Sequence, residues 1–317
     1  MRSTIKTISK RDGSMKSKIM KFVKNPYAFF SPLFYSGHLK WIPDSLALRL
    51  WYKSIFGKKL NLANPKTLNE KLQWLKLFDR NSIYPVIVDK YSAKEYVSCI
   101  IGKEYIIKTI DVYETFDEIN FDSLPSKFVI KCTHDSGGVV ICPDKRNLEI
   151  NQARIKIEKS LAHNYFYDGR EWPYKMIKPR IIIEEYVSND DGSPLKDYKL
   201  FCFDGYVRFL YVSENSHTKK QKLQFYDSSF EPIDCRRRDY NAYETPPSKP
   251  QNYDLMVSIA EKLSKGLPHV RVDLYEINKK VLFGEMTLYT CSGFIPFEDD
   301  IWDEKLGSYL VLPKNKV

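Results

Sequence analysis

The sequence predicts an α+β chain with two subdomains built on antiparallel sheets, preceded by a helical N-terminal extension. Three observations carry this. Strand-like runs follow one another across short polar turns, as in hairpins, rather than alternating strictly with helices as in a doubly wound parallel sheet. With 317 residues, 43 % of them apolar, the chain buries a core large enough for one big domain or two or three subdomains. The charge is unevenly placed: +10 overall, with 13 Lys/Arg against 2 Asp/Glu in residues 1–60 and 37 against 38 in the remainder. We therefore expect a basic, partly helical extension over 1–60, a first body over 61–185 and a second over 186–317.

The extension reads in two parts. Residues 1–25 are rich in Lys, Ser and Met without a sustained period, as in a mobile basic arm. An aromatic stretch from Tyr27 to Tyr35 follows. From about Ser45 to Lys59 an amphipathic helix is expected, with Asp44 as N-cap and Leu46, Leu48, Leu50, Trp51, Ile55 and Phe56 as its apolar faces. A basic arm beside aromatics suits an anionic membrane surface; helices packed on the body with a solvated tail fit the same residues. No apolar run approaches the ~20 residues that span a bilayer, and no continuous apolar segment follows the basic start as in a secretory signal. The neutral body argues against a nucleic-acid-binding protein.

In the first body, residues 127–142 form an apolar strand ending at Lys131, a small polar segment with Ser136, Gly137 and Gly138, and a second apolar strand. Glycines let a backbone approach a ligand closely and turn its N–H groups toward an anion, and Lys131 would bring a point charge to a phosphate. An ordinary hairpin turn with a solvent lysine has the same look, and no Gly-x-x-x-x-Gly-Lys-Ser/Thr motif occurs. A β-branched run from Pro179 to Val187 then carries Glu184, Glu185 and Tyr186. After a polar turn comes the strand Asp197–Val207, with Lys199 inside it. A lysine there needs an anionic partner, because an unpaired buried ammonium is costly.

The most informative segment closes the second body. Residues 269–275 and 281–288 read as two strands joined by a turn over 276–280. Side chains two apart share a face, so Arg271 and Asp273 point one way, as do Glu285 and Thr287. If the strands pair, a cation, two carboxylates and a hydroxyl converge. Mg²⁺ favours such oxygen ligands, usually one or two carboxylates with phosphate and water. The patch therefore looks like the floor of a Mg-nucleotide site, although alternating charges also mark a solvated hairpin face.

A helix is expected over about Tyr253–Gly266, with Leu255, Ile259 and Leu263 on one face. The six cysteines (99, 132, 142, 202, 235, 291) form no Cys-x-x-Cys pair and mostly flank apolar segments, as buried free thiols do; a cytoplasmic, reducing location fits. The five histidines (38, 134, 163, 217, 269) are scattered. His134 is open to two readings, a phosphate contact or a solvent-exposed loop residue. Arg236, Arg237 and Arg238 read either as exposed charge or as a guide for an anionic glycan.

Together these segments resemble the ATP-grasp superfamily, in its teichuronopeptide-biosynthesis (TupA-like) branch associated with surface polysaccharide. The resemblance runs from about Leu62 to Pro313. It rests on residues 64–74 (NPKTLNEKLQW), on Asp89-Lys90-Tyr91 and on residues 178–186, besides the segments above. It implies an ATP-grasp fold, with ATP held between two antiparallel sheets. Lys131 and Lys199 would hold the α- and β-phosphates and Ser136-Gly137-Gly138 would close over the β/γ-phosphates. Glu184 would take the adenine amino group, with the backbone of Glu185, Tyr186 and Val187 as hinge, and Asp190 or Asp191 would reach the ribose. Asp273 and Glu285 would hold Mg²⁺, and Arg271 would steady the γ-phosphate and then the acyl phosphate. Many relatives carry Asn where this chain has Thr287, which is kept as a weaker third ligand. The loop from Thr290 to Phe294 would contact the transferred phosphate or the acceptor.

The resemblance implies an ATP-dependent carboxylate–amine ligase acting through an acyl phosphate. Its partners would be a uronic-acid-containing glycan and an amino acid or other amine, with a peripheral contact at the inner face of the membrane through residues 1–60. Rival expectations are a sugar-nucleotide glycosyltransferase of capsule synthesis, a membrane-apposed scaffold without catalysis, and a kinase stopping at phosphoryl transfer.

Overall fold

The computed structural model describes residues 33–34, 39–214 and 221–314. The basic arm over 1–25, most of the Tyr27–Tyr35 stretch, His38 and His217 lie outside the described residues. Helix α1 spans Asp44–Phe56. Asp44 sits in its first turn rather than capping it; Pro43 holds the cap position without a side-chain bond, and Asp44 pairs instead with buried Arg170 at 2.9 Å. Gly57, at φ 71°, ends the helix in the left-handed conformation glycine adopts without strain. Trp51 is fully buried, stacked on Phe34 and tilted against Phe294, whereas Leu46 stays exposed.

Helix α2 (Leu68–Phe78) opens with a capping box. Glu70 N–H donates to Thr67 Oγ1 at 3.1 Å, and Thr67 N–H donates to Glu70 Oε2 at 3.3 Å. This satisfies two of the donors a helix start leaves orphaned. The short α3 (Tyr84–Val88) leads to α4 (Lys90–Ile101), whose N-cap Asp89 accepts from the N–H groups of Tyr91 and Ser92.

Strands β1 (Thr109–Tyr113), β2 (Phe128–Cys132), β3 (Val139–Cys142) and β4 (Ile181–Glu185) make a four-stranded antiparallel sheet in the order β1-β4-β2-β3. Phe128, Ile130, Cys132, Ile181 and Ile183 face one way and form a small core with Ala153 and Ile157 of α5 (Ile150–Leu161). Lys131 and Glu184 face the other way.

The second sheet is also antiparallel. It comprises β5 (Asp197–Phe203), β6 (Tyr206–Glu214), β7 (Lys222–Asp227), β8 (Pro232–Ile233), β9 (His269–Ile277) and β10 (Lys280–Thr287), in the order β10-β9-β5-β6-β7-β8. Leu200, Cys202, Val270, Val272 and Leu274 share the face toward α6 (Tyr253–Ser264), which buries Met256, Ile259, Ala260 and Leu263. The expected apolar face of this helix is rotated by one position: Leu255 is 38 % exposed and Met256 takes its place. Helix α7 (Asp300–Gly307) closes the chain against α2. Its Gly307 meets the backbone at Lys66–Leu68 so closely that a Cβ would lie 2.5 Å from Leu68 N.

Two local features aim the β9–β10 hairpin. Its turn is the two-residue pair Asn278-Lys279, both at positive φ, rather than the five residues 276–280. Paired left-handed residues match the twist of the flanking strands. The register then shifts at Gly284, so that Phe283 pairs with Leu274 but Glu285 pairs with Asp273. This bulge moves the strand from one face parity to the other: Phe283 goes to the core and Glu285 to the opposite face. A Cβ on Gly284 would come within 2.9 Å of the Tyr275 ring. Among the described residues no helix is long and apolar enough to cross a membrane.

Candidate active site

The face of the six-stranded sheet turned away from α6 carries a row of charge. Lys199 pairs with Asp273 and Asp273 with Glu285, while Phe201 pairs with Arg271 and Arg271 with Thr287. Strands β5, β9 and β10 thus bring these side chains together from positions up to 88 residues apart. Arg271 donates through Nε to Asp273 Oδ1 at 2.6 Å and through Nη2 to Asp273 Oδ2 at 2.7 Å. The same Nη2 reaches Glu285 Oε1 at 3.0 Å and Thr287 Oγ1 at 2.9 Å, and Nη1 reaches Thr290 Oγ1 at 3.4 Å. Thr287 donates to Glu285 at 3.1 Å. Lys199 donates to Asp273 and lies 2.5 Å from Asp197, a carboxylate not expected from sequence.

Asp273 and Glu285 differ although they are neighbours. Burial lifts the Asp273 carboxyl to about 6, against the pull of Arg271 and Lys199. Glu285, its side chain 43 % exposed, is also raised by desolvation, but Arg271, Lys199 and Lys90 outweigh this and hold it at about 2. Burial would lower Lys199, and Asp197 and Asp273 reverse this so that it stays charged well above its ordinary range.

A second cluster sits on the four-stranded sheet. Lys131 lies 2.5 Å from Glu184 Oε2, and Lys94, from α4, contacts the other oxygen. Burial pushes Glu184 up, and the two lysines more than compensate, holding it below the usual carboxylate range. Lys94 also donates to Ile107 O at 2.6 Å and Thr109 Oγ1 at 3.0 Å. Of the hinge residues, Glu185 is exposed and its N–H is already given to Lys108 O at 3.0 Å; Tyr186 and Val187 are half-buried. Asp190 and Asp191 are exposed, with Asp190 tied to Asn278.

In the glycine loop, Gly138 N–H donates to Asp135 Oδ2 at 3.0 Å, leaving Ser136 and Gly137 exposed. Tyr165 donates to Ser136 Oγ at 3.1 Å. Lys90 donates to Asp135 O and contributes to holding Glu285 ionised, so it links this loop to the charged row of the other sheet.

Sequence reasoning missed Lys90, Lys94 and Asp197. The first two were signalled by Lys at i and i+4 directly after the capping Asp89. It also missed a buried polar stripe on α2. Asn69, Gln73 and Lys76, at i, i+4 and i+7, are all essentially inaccessible. Asn69 donates to Ile295 O at 3.1 Å and to Asp303 Oδ2 at 2.9 Å, and accepts from Ile295 N–H at 2.7 Å. Gln73 donates to Ser292 O and Gly293 O. Lys76 donates to Gly169 O, Ser292 O and Ser292 Oγ, each at 2.7 Å. Burial draws this ammonium down to about 7, with Glu171 opposing. The stripe holds the turn Thr290–Gly293, in which Cys291 and Ser292 are non-glycine residues at φ 49° and 52°. Such residues cost on the order of 1 kcal/mol or more each and persist only when their surroundings fix them. Through Thr290 the turn meets Arg271.

Two expectations are corrected. His134 is neither exposed nor aimed at a phosphate: it is 2 % exposed, its Nε2 between Ser160 O and His163 O at the end of α5. The arginine triplet is not uniform surface charge either. Arg237 is buried and bidentate to Asp239 at 2.9 and 2.6 Å, while Arg236 pairs with Asp234 at the surface.

The donor set fits a hard divalent cation. Among the described residues no group of three or more His, Cys, Asp or Glu is poised around one point, but Mg²⁺ usually takes only one or two carboxylates and completes its shell with phosphate and water. Asp273, Glu285 and the Thr287 hydroxyl are all oxygen donors on one face. The buried Asp197 Oδ1 beside them has no hydrogen-bond partner, as expected where a further polar group belongs.

No curated protein matches the sequence. Solved structures with a similar course include D-alanine–D-alanine ligase from Helicobacter pylori, 16 % identical over 77 % of this chain and 69 % of that one, TM-score 0.41. The Bacillus anthracis D-alanine–D-alanine ligase complexed with ATP is 16 % identical over 64 % of this chain and 54 % of its own, TM-score 0.38. The D-cycloserine synthetase DcsG is 15 % identical over 71 % of each chain, TM-score 0.38. This chain therefore spans between about half and seven tenths of their lengths. The sequence model of the TupA-like ATPgrasp family matches residues 70–311, most of the chain, and the protein belongs to that family.

Proposed function

We propose that this chain joins a carboxylate to an amine at the expense of ATP, through an acyl phosphate. The observation that carries the reading is the single row formed by Lys199, Arg271, Asp273, Glu285 and Thr287 across three strands. In it, two cations share one face with two carboxylates, Asp273 buried beneath Arg271 and Lys199 and Glu285 partly exposed beside it.

In this reading Lys131, Lys94 and Lys90 from one side and Lys199 from the other neutralise the α- and β-phosphates, and Ser136, Gly137 and Gly138 cover the β/γ-phosphates. Glu184 and the Glu185–Val187 backbone bind the adenine. Asp273 and Glu285, with Thr287 as weaker partner, hold Mg²⁺, which would supply charge neutralisation on the phosphates. Arg271 orients the γ-phosphate. The substrate carboxylate attacks the γ-phosphorus and the bond to ADP breaks. The amine nitrogen, having lost one proton to water, then attacks the carbonyl carbon. The C–O bond breaks, phosphate leaves with the electron pair, and the second amine proton ends on phosphate. Positioning and charge neutralisation account for such chemistry without a protein nucleophile. A uronic acid of a surface polysaccharide as the carboxylate, and an amino acid as the amine, follow from the family's associations, as does a contact of residues 1–60 with an anionic membrane face.

Hydroxylamine trapping tests the proposal. The chain, MgATP and a panel of uronates are incubated with hydroxylamine, and hydroxamate is measured alongside ADP. Stoichiometric hydroxamate and ADP are expected with at least one uronate; ADP release with a uronate but no hydroxamate would replace the ligase with a kinase.

A further inference from the structure

The 19 residues 162–180 join α5 to β4 with no helix or strand beyond two short 3-10 turns, Tyr165–Asp168 and Trp172–Tyr174. Connections that long inside a compact fold are uncommon and usually functional. This one starts and ends on the four-stranded sheet but is fastened elsewhere. Gly169 O accepts from Lys76 Nζ at 2.7 Å and from Ser292 Oγ at 3.3 Å. A Cβ on Gly169 would lie 1.8 Å from Ser292 Oγ, so the two segments touch. Arg170 pairs with Asp44 at 2.9 Å, and Trp172 Nε1 donates to Asp79 O at 3.0 Å. Asn164 Nδ2 closes the connection on itself by donating to Lys175 O at 3.1 Å.

From this braced segment two half-buried tyrosines project. Tyr165 and Tyr174 meet edge to face, their ring centroids 4.8 Å apart, and Tyr165 reaches the glycine loop to donate to Ser136 Oγ at 3.1 Å. The loop's other fastenings are to Asp135. That residue accepts from Gly138 N–H and from Ser160 through its carboxylate, and from Lys90 through its carbonyl. They fix the loop's base and leave the Ser136 side chain to Tyr165.

The direction of this hydrogen bond decides what Ser136 can do. Burial, reinforced by Glu171, Asp168 and Asp135 and opposed by Ser136, holds the Tyr165 phenol well above its ordinary range, so it keeps its proton. A serine oxygen that accepts from a phenol has its own hydrogen left for a second acceptor. Tyr174 is raised by burial, then by Glu171 and Tyr165, and also by Glu285, so the pair lies within electrostatic reach of the charged row. The anchor at Gly169 continues through Ser292 to Thr290, whose hydroxyl meets Arg271. Ser136 is thus braced from the Arg271 end of the row.

We propose that Tyr165 is a positioning residue: by donating to Ser136 Oγ it turns the Ser136 hydroxyl proton toward the γ-phosphate, and it ties the glycine loop to the turn that meets Arg271. This rests on the ligase reading, in which the glycine loop covers the β/γ-phosphates and Arg271 orients the γ-phosphate.

The test is calorimetric titration of MgATP and of MgADP into the full chain, as wild type, Tyr165→Phe, Ser136→Ala and the double variant. Tyr165→Phe keeps the ring and its contact with Tyr174 and removes the phenol donor alone. It is expected to weaken MgATP about fivefold while MgADP stays within about twofold, since one oriented hydrogen bond to the γ-phosphate is at stake. The unfolding midpoint should stay at the wild-type value. On the Ser136→Ala background the same substitution should add nothing, because Tyr165 acts through that hydroxyl. Unchanged MgATP affinity in Tyr165→Phe, or a loss that persists in full without Ser136, overturns the proposal. So does a lowered midpoint with both nucleotides weakened alike, the mark of a merely structural role. A wild type that shows the predicted cycle but forms no hydroxamate sinks the ligase reading and leaves the role of Tyr165 standing; a wild type that binds no MgATP overturns both.

Discussion

The two sheets carry their charges in different ways. On the six-stranded sheet, Arg271 and Lys199 are locked onto Asp273, and Arg271 also reaches Glu285, Thr287 and Thr290, so five side chains hold one another at fixed separations. On the four-stranded sheet, Lys131 is 27 % exposed and among the described residues has one ion pair, with Glu184. The first arrangement is preorganised and costs little to keep in place when charge develops. The second can yield: in the proposed site Lys131 would exchange the Glu184 carboxylate for a phosphate by rotating its own flexible stem. Under the proposed function, the fixed row would serve as the floor and the adaptable cluster as the cover of a site that a triphosphate must enter and leave.

The strongest way to break this contrast is to remove a carboxylate from the fixed side. Asp273→Asn or Glu285→Gln is expected to lower Mg²⁺-dependent ADP release by about 10³-fold or more, measured under saturating ATP. A loss of only a fewfold would mean the row does not hold the metal. Next in size is the support beneath it. Lys76→Met leaves three acceptors at Gly169 and Ser292 without their donor and should cost ~3 kcal/mol in urea unfolding, whereas Lys131→Ala should stay within ~0.5 kcal/mol. Equal costs would erase the distinction between the two sheets.

The pH profile sharpens it further. Asp273 is raised to about 6 and Glu285 held at about 2. Protonating Asp273 removes the anion that Arg271 and Lys199 share, so activity is lost as pH falls through 6, by about tenfold per unit in the limit. A plateau down to pH 4 would contradict this. The smallest effect belongs to the adaptable side: Lys131→Ala should weaken MgATP binding about tenfold, ~1.4 kcal/mol, with Lys94 and Lys90 still present.

What the sequence showed, and what it hid, follows from the range of the interactions. The α+β class, the antiparallel pairing and the family were readable, because alternation and motif spacing are local. The hairpin turn was misplaced because Asn278 and Lys279 carry no glycine to announce two positive φ values. The face change at Gly284 was invisible, since a bulge depends on the partner strand. Asn69 and Gln73 stood out only as part of the motif of residues 64–74, and Lys76 not at all. Only the turn 290–293, more than 200 residues on, makes them a buried stripe. Likewise Arg237 looked like its neighbours in sequence, and Asp239 with the Tyr211 and Tyr240 rings is what buries it. Roles that rest on long-range partners are not written in composition or period.

The central claim is that the two clusters grip one triphosphate, and a double-mutant cycle measures it. MgATP dissociation constants for wild type, Lys131→Ala, Glu285→Gln and the double variant give the coupling between residues on different sheets. A coupling of ~1 kcal/mol or more is expected if one ligand bridges them. Additivity within ~0.3 kcal/mol would show that they act on separate ligands and contradict the account.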